Sequence, residues 1–93
     1  MFTTTKKTLE DLMEEFDKRR MTEPIAFNRA HFLGSFPKHY NYLLVHRADG
    51  FIMGIRTSKD AFYRTCEDAV FFDGTFAIMS IAQYRKTYEH INK

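Results

Sequence analysis

NYLLVHRADGFIMGIRT, residues 41–57, reads as two β-rich runs, 41–47 and 51–57, joined by Ala48, Asp49 and Gly50. Asp-Gly between such runs is a strong hairpin signal, because both residues tolerate positive φ. In the first run Tyr42, Leu44 and His46 share one face, and Leu43 and Val45 share the other. Apolar side chains on both faces place this strand at the centre of a sheet rather than at its edge. Gly54 inside the second run marks a bulge or a close approach by another backbone. A second Asp-Gly pair, Asp73-Gly74, joins 70–72 to a further short run at 75–79.

Helical signals surround these runs. Leu9, Leu12, Met13 and Phe16 recur at i, i+3, i+4 and i+7, and Thr8 with Asp11 forms a capping box in which Asp replaces the usual Glu. Acids then lie near the positive end, and Lys18, Arg19 and Arg20 near the negative end, so the spacing predicts a helix over 8–21. Thr57 with Asp60 opens a second capping box, and Phe62, Cys66, Ala69 and Val70 give a stripe that predicts a helix over 58–70. Ser80 with Gln83 opens a third, and Ile81, Tyr84, Tyr88 and Ile91 line one face of a helix over 81–91. Residues 22–40 follow neither period. Thr22, Pro24 and Gly34 allow a helix between them, but an extended edge segment followed by one helical turn is the favoured reading.

This order predicts an α+β fold: a small antiparallel sheet of three to four strands packed with about three helices, in a two-layer single domain spanning 1–93. The core is expected from Leu12, Phe16, Leu44, Ile52, Phe62, Val70, Phe76, Ile78, Ile81 and Tyr84. Helices on one face alone would leave the other short of cover, which leads to the expectation of a homodimer.

Composition bounds the class. Ninety-three residues, 44% hydrophobic and 28% charged, describe a globular chain and exclude disorder throughout. No stretch approaches the ~20 apolar residues of a membrane span, so no membrane partner is expected. Met1 with no apolar segment after Lys6 and Lys7 leads to the expectation of a whole small gene product without a signal peptide. One cysteine, Cys66, fits a reducing, cytoplasmic setting. Charge is uneven. Residues 1–17 carry Lys6 and Lys7 against five acids, whereas 18–47 carry Lys18, Arg19, Arg20, Arg29, Lys38 and Arg47 against Glu23 alone. Ten Phe and five Tyr exceed what one small core encloses, so some are expected on the surface as a contact patch.

Catalytic signals are weak. His31, His39 and His46 are spaced by eight and seven residues, unlike the close ligand pairs of zinc sites, so no metal is expected. Cys66 sits on an apolar stripe beside Glu67 and Asp68, which favour a buried thiol over a thiolate. Asp49 and Asp73 are explained by turn geometry. The four glycines form no phosphate loop, and no cofactor is expected.

The sequence therefore reads as a non-catalytic binding protein that docks on a larger macromolecule as an inhibitor, adaptor or regulator, a type frequent among phage and mobile-element accessory genes. Arg19, Arg20, Arg29, Lys38, Tyr40 and Arg47 are the candidate partner-binding residues, in the one markedly basic stretch. A protein partner is favoured. Because basic and aromatic residues interleave there, a small nucleic-acid-binding module is the alternative, and a minimal hydrolytic enzyme comes third.

Overall fold

The computed structural model describes residues 5–34, 38 and 40–88. The Asp49-Gly50 turn closes a hairpin of β1 (Tyr42–His46) and β2 (Phe51–Arg56), and β3 (Phe76–Ser80) pairs antiparallel on the far side of β1. The sheet order is β2-β1-β3, so the strand with apolar residues on both faces is central, and Leu43 and Val45 are fully buried. Leu44 pairs with Gly54 but Val45 with Ile52, which leaves Met53 as the extra residue of a bulge beside Gly54. The chain is an α+β domain with five helices among the described residues: α1 (Leu9–Thr22), α2 (Ile25–Leu33), α3 (Lys59–Thr65), the single turn α4 (Ala69–Phe72) and α5 (Ile81–Tyr88).

Alternation along the strands makes two apolar clusters. Leu44, Phe51, Met53 and Phe76 face one way and pack with Leu12 of α1, Phe62 of α3, Cys66 and Val70 of α4. Leu43, Val45 and Ile52 face the other way and pack with Ile81, Tyr84 and Tyr88 of α5. The second face is thus not short of cover. Of the ten expected core residues, all but Phe16 and Ile78 are buried, and those two pack partly buried against the first cluster.

α1 starts where its capping box sets it: Thr8 Oγ1 accepts from the Asp11 N–H at 3.1 Å, and Asp11 Oδ2 accepts from the Thr8 N–H at 3.0 Å. Ser80 Oγ likewise accepts from the Gln83 N–H at 3.1 Å and starts α5, which is described to Tyr88. The expected continuation over 89–91 lies outside the described residues, as do Phe36 and His39.

Two expectations are corrected. Residues 25–33 form a helix, not an extended edge segment, with Pro24 at the N-cap and Gly34 at the end. The predicted helix over 58–70 is two helices, and the N-cap of α3 is Ser58 rather than Thr57, with no capping bond from its side chain. Between them Cys66 is extended, with φ −128° and ψ 146°. The cause is non-local: the Lys7 N–H donates to Thr65 O at 2.9 Å and the Glu67 N–H to Lys7 O at 2.8 Å, a parallel bridge that interrupts the helical ladder.

Candidate functional site

The β1–β2 turn, residues 47–50, gathers most of the basic side chains singled out above. Gly50 takes φ 78°, and Asp49 Oδ1 accepts from the Phe51 N–H at 2.9 Å. His46 Nδ1 lies 3.1 Å from the same oxygen; a carboxylate only accepts, so Nδ1 carries the proton. The His46 ring stacks on Phe16, centroids 4.0 Å apart.

Three carbonyls of the turn are taken up by distant side chains. The Tyr88 hydroxyl donates to Arg47 O at 2.8 Å, Arg29 Nη2 to Asp49 O at 3.3 Å, and the Tyr84 hydroxyl to Gly50 O at 2.6 Å. Tyr84 Oη also accepts from Arg29 Nε at 2.9 Å. Helices far apart in sequence, α2 and α5, thereby hold one turn in place. Burial pushes the Tyr84 phenol above its ordinary pKa even though Arg29 opposes it, and burial likewise raises Tyr88 against Arg47. Both are neutral hydrogen-bonding posts at physiological pH, not bases.

Around this base stand the cations. Arg20 Nε is 3.4 Å from Asp49 Oδ2 with its side chain about a third exposed, Arg29 is half-buried, and Arg47 is exposed in the turn itself. Of these, Arg20 pairs with the turn's own carboxylate, while Arg29 holds the Asp49 carbonyl. Arg19 belongs to a different structure: its guanidinium donates to Ile52 O at 3.3 Å and Met53 O at 3.1 Å, pairs with Glu23 at 3.3 Å, and lies 5.2 Å over the Phe51 ring. Lys38 and Tyr40 lie beyond the start of β1, the opposite end of the sheet, with Lys38 Nζ 5.7 Å over the Tyr40 ring. The structure therefore sets Arg20 and Arg29 against the turn that carries Arg47, turns Arg19 inward, and leaves Lys38 and Tyr40 apart.

The residue that sequence reasoning missed is Asn28, fully buried on α2. Its amide donates to Ile52 O at 2.9 Å and accepts from the Ile52 N–H at 2.7 Å, standing in for a neighbouring strand at the β2 edge. Its Nδ2 also donates to Glu23 Oε1 at 2.9 Å. Burial works to raise the Glu23 pKa, but the Asn28 and Arg19 hydrogen bonds and the Arg19 charge outweigh it and hold the carboxyl below its usual 4.5. A carboxyl depressed by folding contributes stability above its unfolded pKa, and that contribution is lost as pH falls through the folded value. The stability difference between the native chain and Glu23→Gln, measured by urea unfolding at stepped pH, is accordingly expected to be constant near neutrality and to shrink below about pH 4.5. A difference that grows on acidification would reverse this assignment.

Cys66 is 3% exposed, and among the described residues no three His, Cys, Asp or Glu side chains gather as metal ligands. A cavity of about 180 Å³ lies between Leu12, Leu44, Met53 and Phe62 with Lys7, Glu15 and Arg56 among its lining, below the ~300–1,000 Å³ of ligand pockets. Among the described residues the exposed aromatics, Phe27, Tyr40, Tyr63 and Phe72, lie on four separate segments. No described helix is long and apolar enough to cross a membrane. Comparison with known protein families, curated proteins and solved structures finds no significant match to this chain.

Proposed function

We propose that the protein is a non-catalytic binding protein, an inhibitor, adaptor or regulator, that docks on an acidic surface of a larger protein through the β1–β2 turn. The observation that carries this reading is that Arg20 pairs with Asp49 and Arg29 holds the Asp49 carbonyl on a turn that also carries the exposed Arg47 and has three carbonyls tied by Tyr84, Arg29 and Tyr88. Cations on a rigid base lose little freedom when they meet carboxylates, and guanidinium groups pair with carboxylates in two-point geometry. Arg19 supports the surface from within and is not a contact. A cytoplasmic site of action goes with this proposal, in keeping with a single, buried thiol.

The clean test uses the exposed pair. Arg20→Gln with Arg47→Gln is expected to lower stability by under about 1 kcal/mol, because surface ion pairs contribute little. Capture from nuclease-treated lysate, quantified against the native chain, is expected to yield a discrete protein whose association is slowed several-fold in the double variant and made less sensitive to salt. Arg29→Gln is the poorer probe, since it also strips Tyr84 and Asp49 O of a donor. Capture abolished by nuclease would favour the nucleic-acid reading, and equal capture by the double variant would move the contact off the turn.

A further inference from the structure

The sheet's two edges are finished differently. Along the first half of β2 the outward groups are occupied, Ile52 by Asn28 and Arg19, and Met53 O by Arg19. On the other side, the Arg47 N–H donates to Thr75 O at 2.9 Å and the Ile81 N–H to Asn41 O at 3.1 Å. With Tyr42 opposite Ser80 and His46 opposite Phe76, the antiparallel alternation turns the backbone groups of Ala77 and Met79 toward β1 and those of Phe76, Ile78 and Ser80 away from it. Among the described residues no hydrogen bond takes up the outward groups of Phe76 and Ile78 or the Ser80 N–H, while the Ser80 C=O, at the N-cap of α5, accepts the first bond of that helix. The strand, FAIMS, carries no charge, proline or bulge, the devices that usually protect an edge.

We propose that β3 pairs antiparallel with β3 of a second copy of this chain, joining two three-stranded sheets about a two-fold axis at Ile78. The strand's match to itself points to this occupant. The axis sets Ile78 against its own equivalent, Phe76 against Ser80 and Ala77 against Met79, so outward donors meet outward acceptors in step. Phe76 then lies beside the small Ser80 and Met79 beside Ala77, Ile78 meets Ile78 at the axis, and no charge opposes a like charge. Continued beyond the strand, the same register brings the exposed Asp73 toward the N-terminal turn of the second copy's α5, the end of a helix that favours a negative charge. The apolar face from which the sequence leads one to expect a dimer is covered by α5, and the edge takes its place. This surface is separate from the arginine-bearing turn, so either proposal stands or falls without the other.

Sedimentation equilibrium of the full chain from low to high micromolar concentration is expected to rise from 11.1 kDa toward twice that mass. Ile78→Lys and Ile78→Glu are each expected to stay at the monomer mass, because like charges meet at the axis, and an equal mixture of the two is expected to recover the dimer. Circular dichroism melts establish that both variants fold. A measurement on the native chain needs no variant: amide exchange at Phe76, Ile78 and Ser80 is expected to slow as concentration rises. A monomer mass at every concentration overturns the proposal. So does a dimer that survives both substitutions, or exchange at these three amides that does not respond to concentration.

Discussion

Asn28→Ala is expected to destabilise the fold by about 3 kcal/mol, because each buried polar group left without a partner costs roughly 1–3 kcal/mol. Asn28 is fully buried, and its loss strands both the N–H and the C=O of Ile52 while removing the donor to Glu23. Arg19 still reaches Ile52 O at 3.3 Å, which softens the loss on the acceptor but does nothing for the N–H. Against a typical total stability of about 5–15 kcal/mol this is a large fraction. Urea unfolding of the native chain and variant at neutral pH reads it directly. Asn28→Asp separates the two halves of the contact: a carboxylate still accepts from the Ile52 N–H but turns an acceptor on Ile52 O and Glu23. That variant is expected to regain stability on acidification, when a protonated carboxyl can donate. A loss below about 1 kcal/mol for Asn28→Ala would mean that solvent reaches the β2 edge and that the side chain is no plug.

Gly50→Ala is the second large effect, expected at about 3 kcal/mol against about 1 kcal/mol for Gly74→Ala. Both glycines have positive φ, 78° and 88°, where a Cβ costs roughly 1–2 kcal/mol. They differ in surroundings. A Cβ on Gly50 would lie 2.8 Å from Tyr88 Cδ1 and 3.0 Å from Arg29 Nη2, whereas one on Gly74 meets nothing within 4 Å among the described residues. Neither neighbour of Gly50 is free to give way. The Tyr88 ring is fixed through its hydroxyl to Arg47 O and lies 4.7 Å from the Tyr84 ring, and Arg29 is tied to Tyr84 and Asp49 O. Equal losses at the two glycines in parallel denaturation curves would refute the packing part of this argument.

The parts of the fold legible in the sequence are those fixed by near neighbours. The hairpin follows from Asp49-Gly50, the central position of β1 from Leu43 and Val45 alternating with Leu44, and the start of α1 from the Thr8–Asp11 exchange. What stayed hidden was set by distant partners. α2 runs along the β2 edge, so Ile25 packs toward one cluster while Phe32 and Leu33 pack toward the other. At the centre of its buried side stands Asn28, a residue whose type argues for solvent, and Phe27 is 59% exposed. A periodicity of apolar residues cannot reveal a helix whose inward position is polar. The break at Cys66 is likewise imposed by Lys7, about sixty residues away along the chain, while Phe62, Cys66 and Val70 remain buried as their spacing implies. Of the basic residues, the sequence shows charge but not direction, so Arg19 and Arg20 look alike until one is seen donating to strand carbonyls and the other pairing with a turn carboxylate. The role of Tyr84 and Tyr88 left one signal unread: a buried phenol needs a hydrogen-bond partner, and both are on a buried helix face.

The bridge between Lys7 and Cys66 makes the lone thiol a stopwatch. Cys66 is the chain's one cysteine and is 3% exposed. Two backbone hydrogen bonds and the Lys7–Glu15 ion pair hold the segment entering α1 against it. An alkylating reagent reaches the buried sulfur only when the structure around it opens, so the modification rate at low reagent counts how often the opening equilibrium is sampled, and the plateau at high reagent gives the opening rate itself. Detachment of the N-terminal segment and melting of the whole domain thus become separable events, read from one atom without a label, since only the second would track denaturant with the full slope of global unfolding.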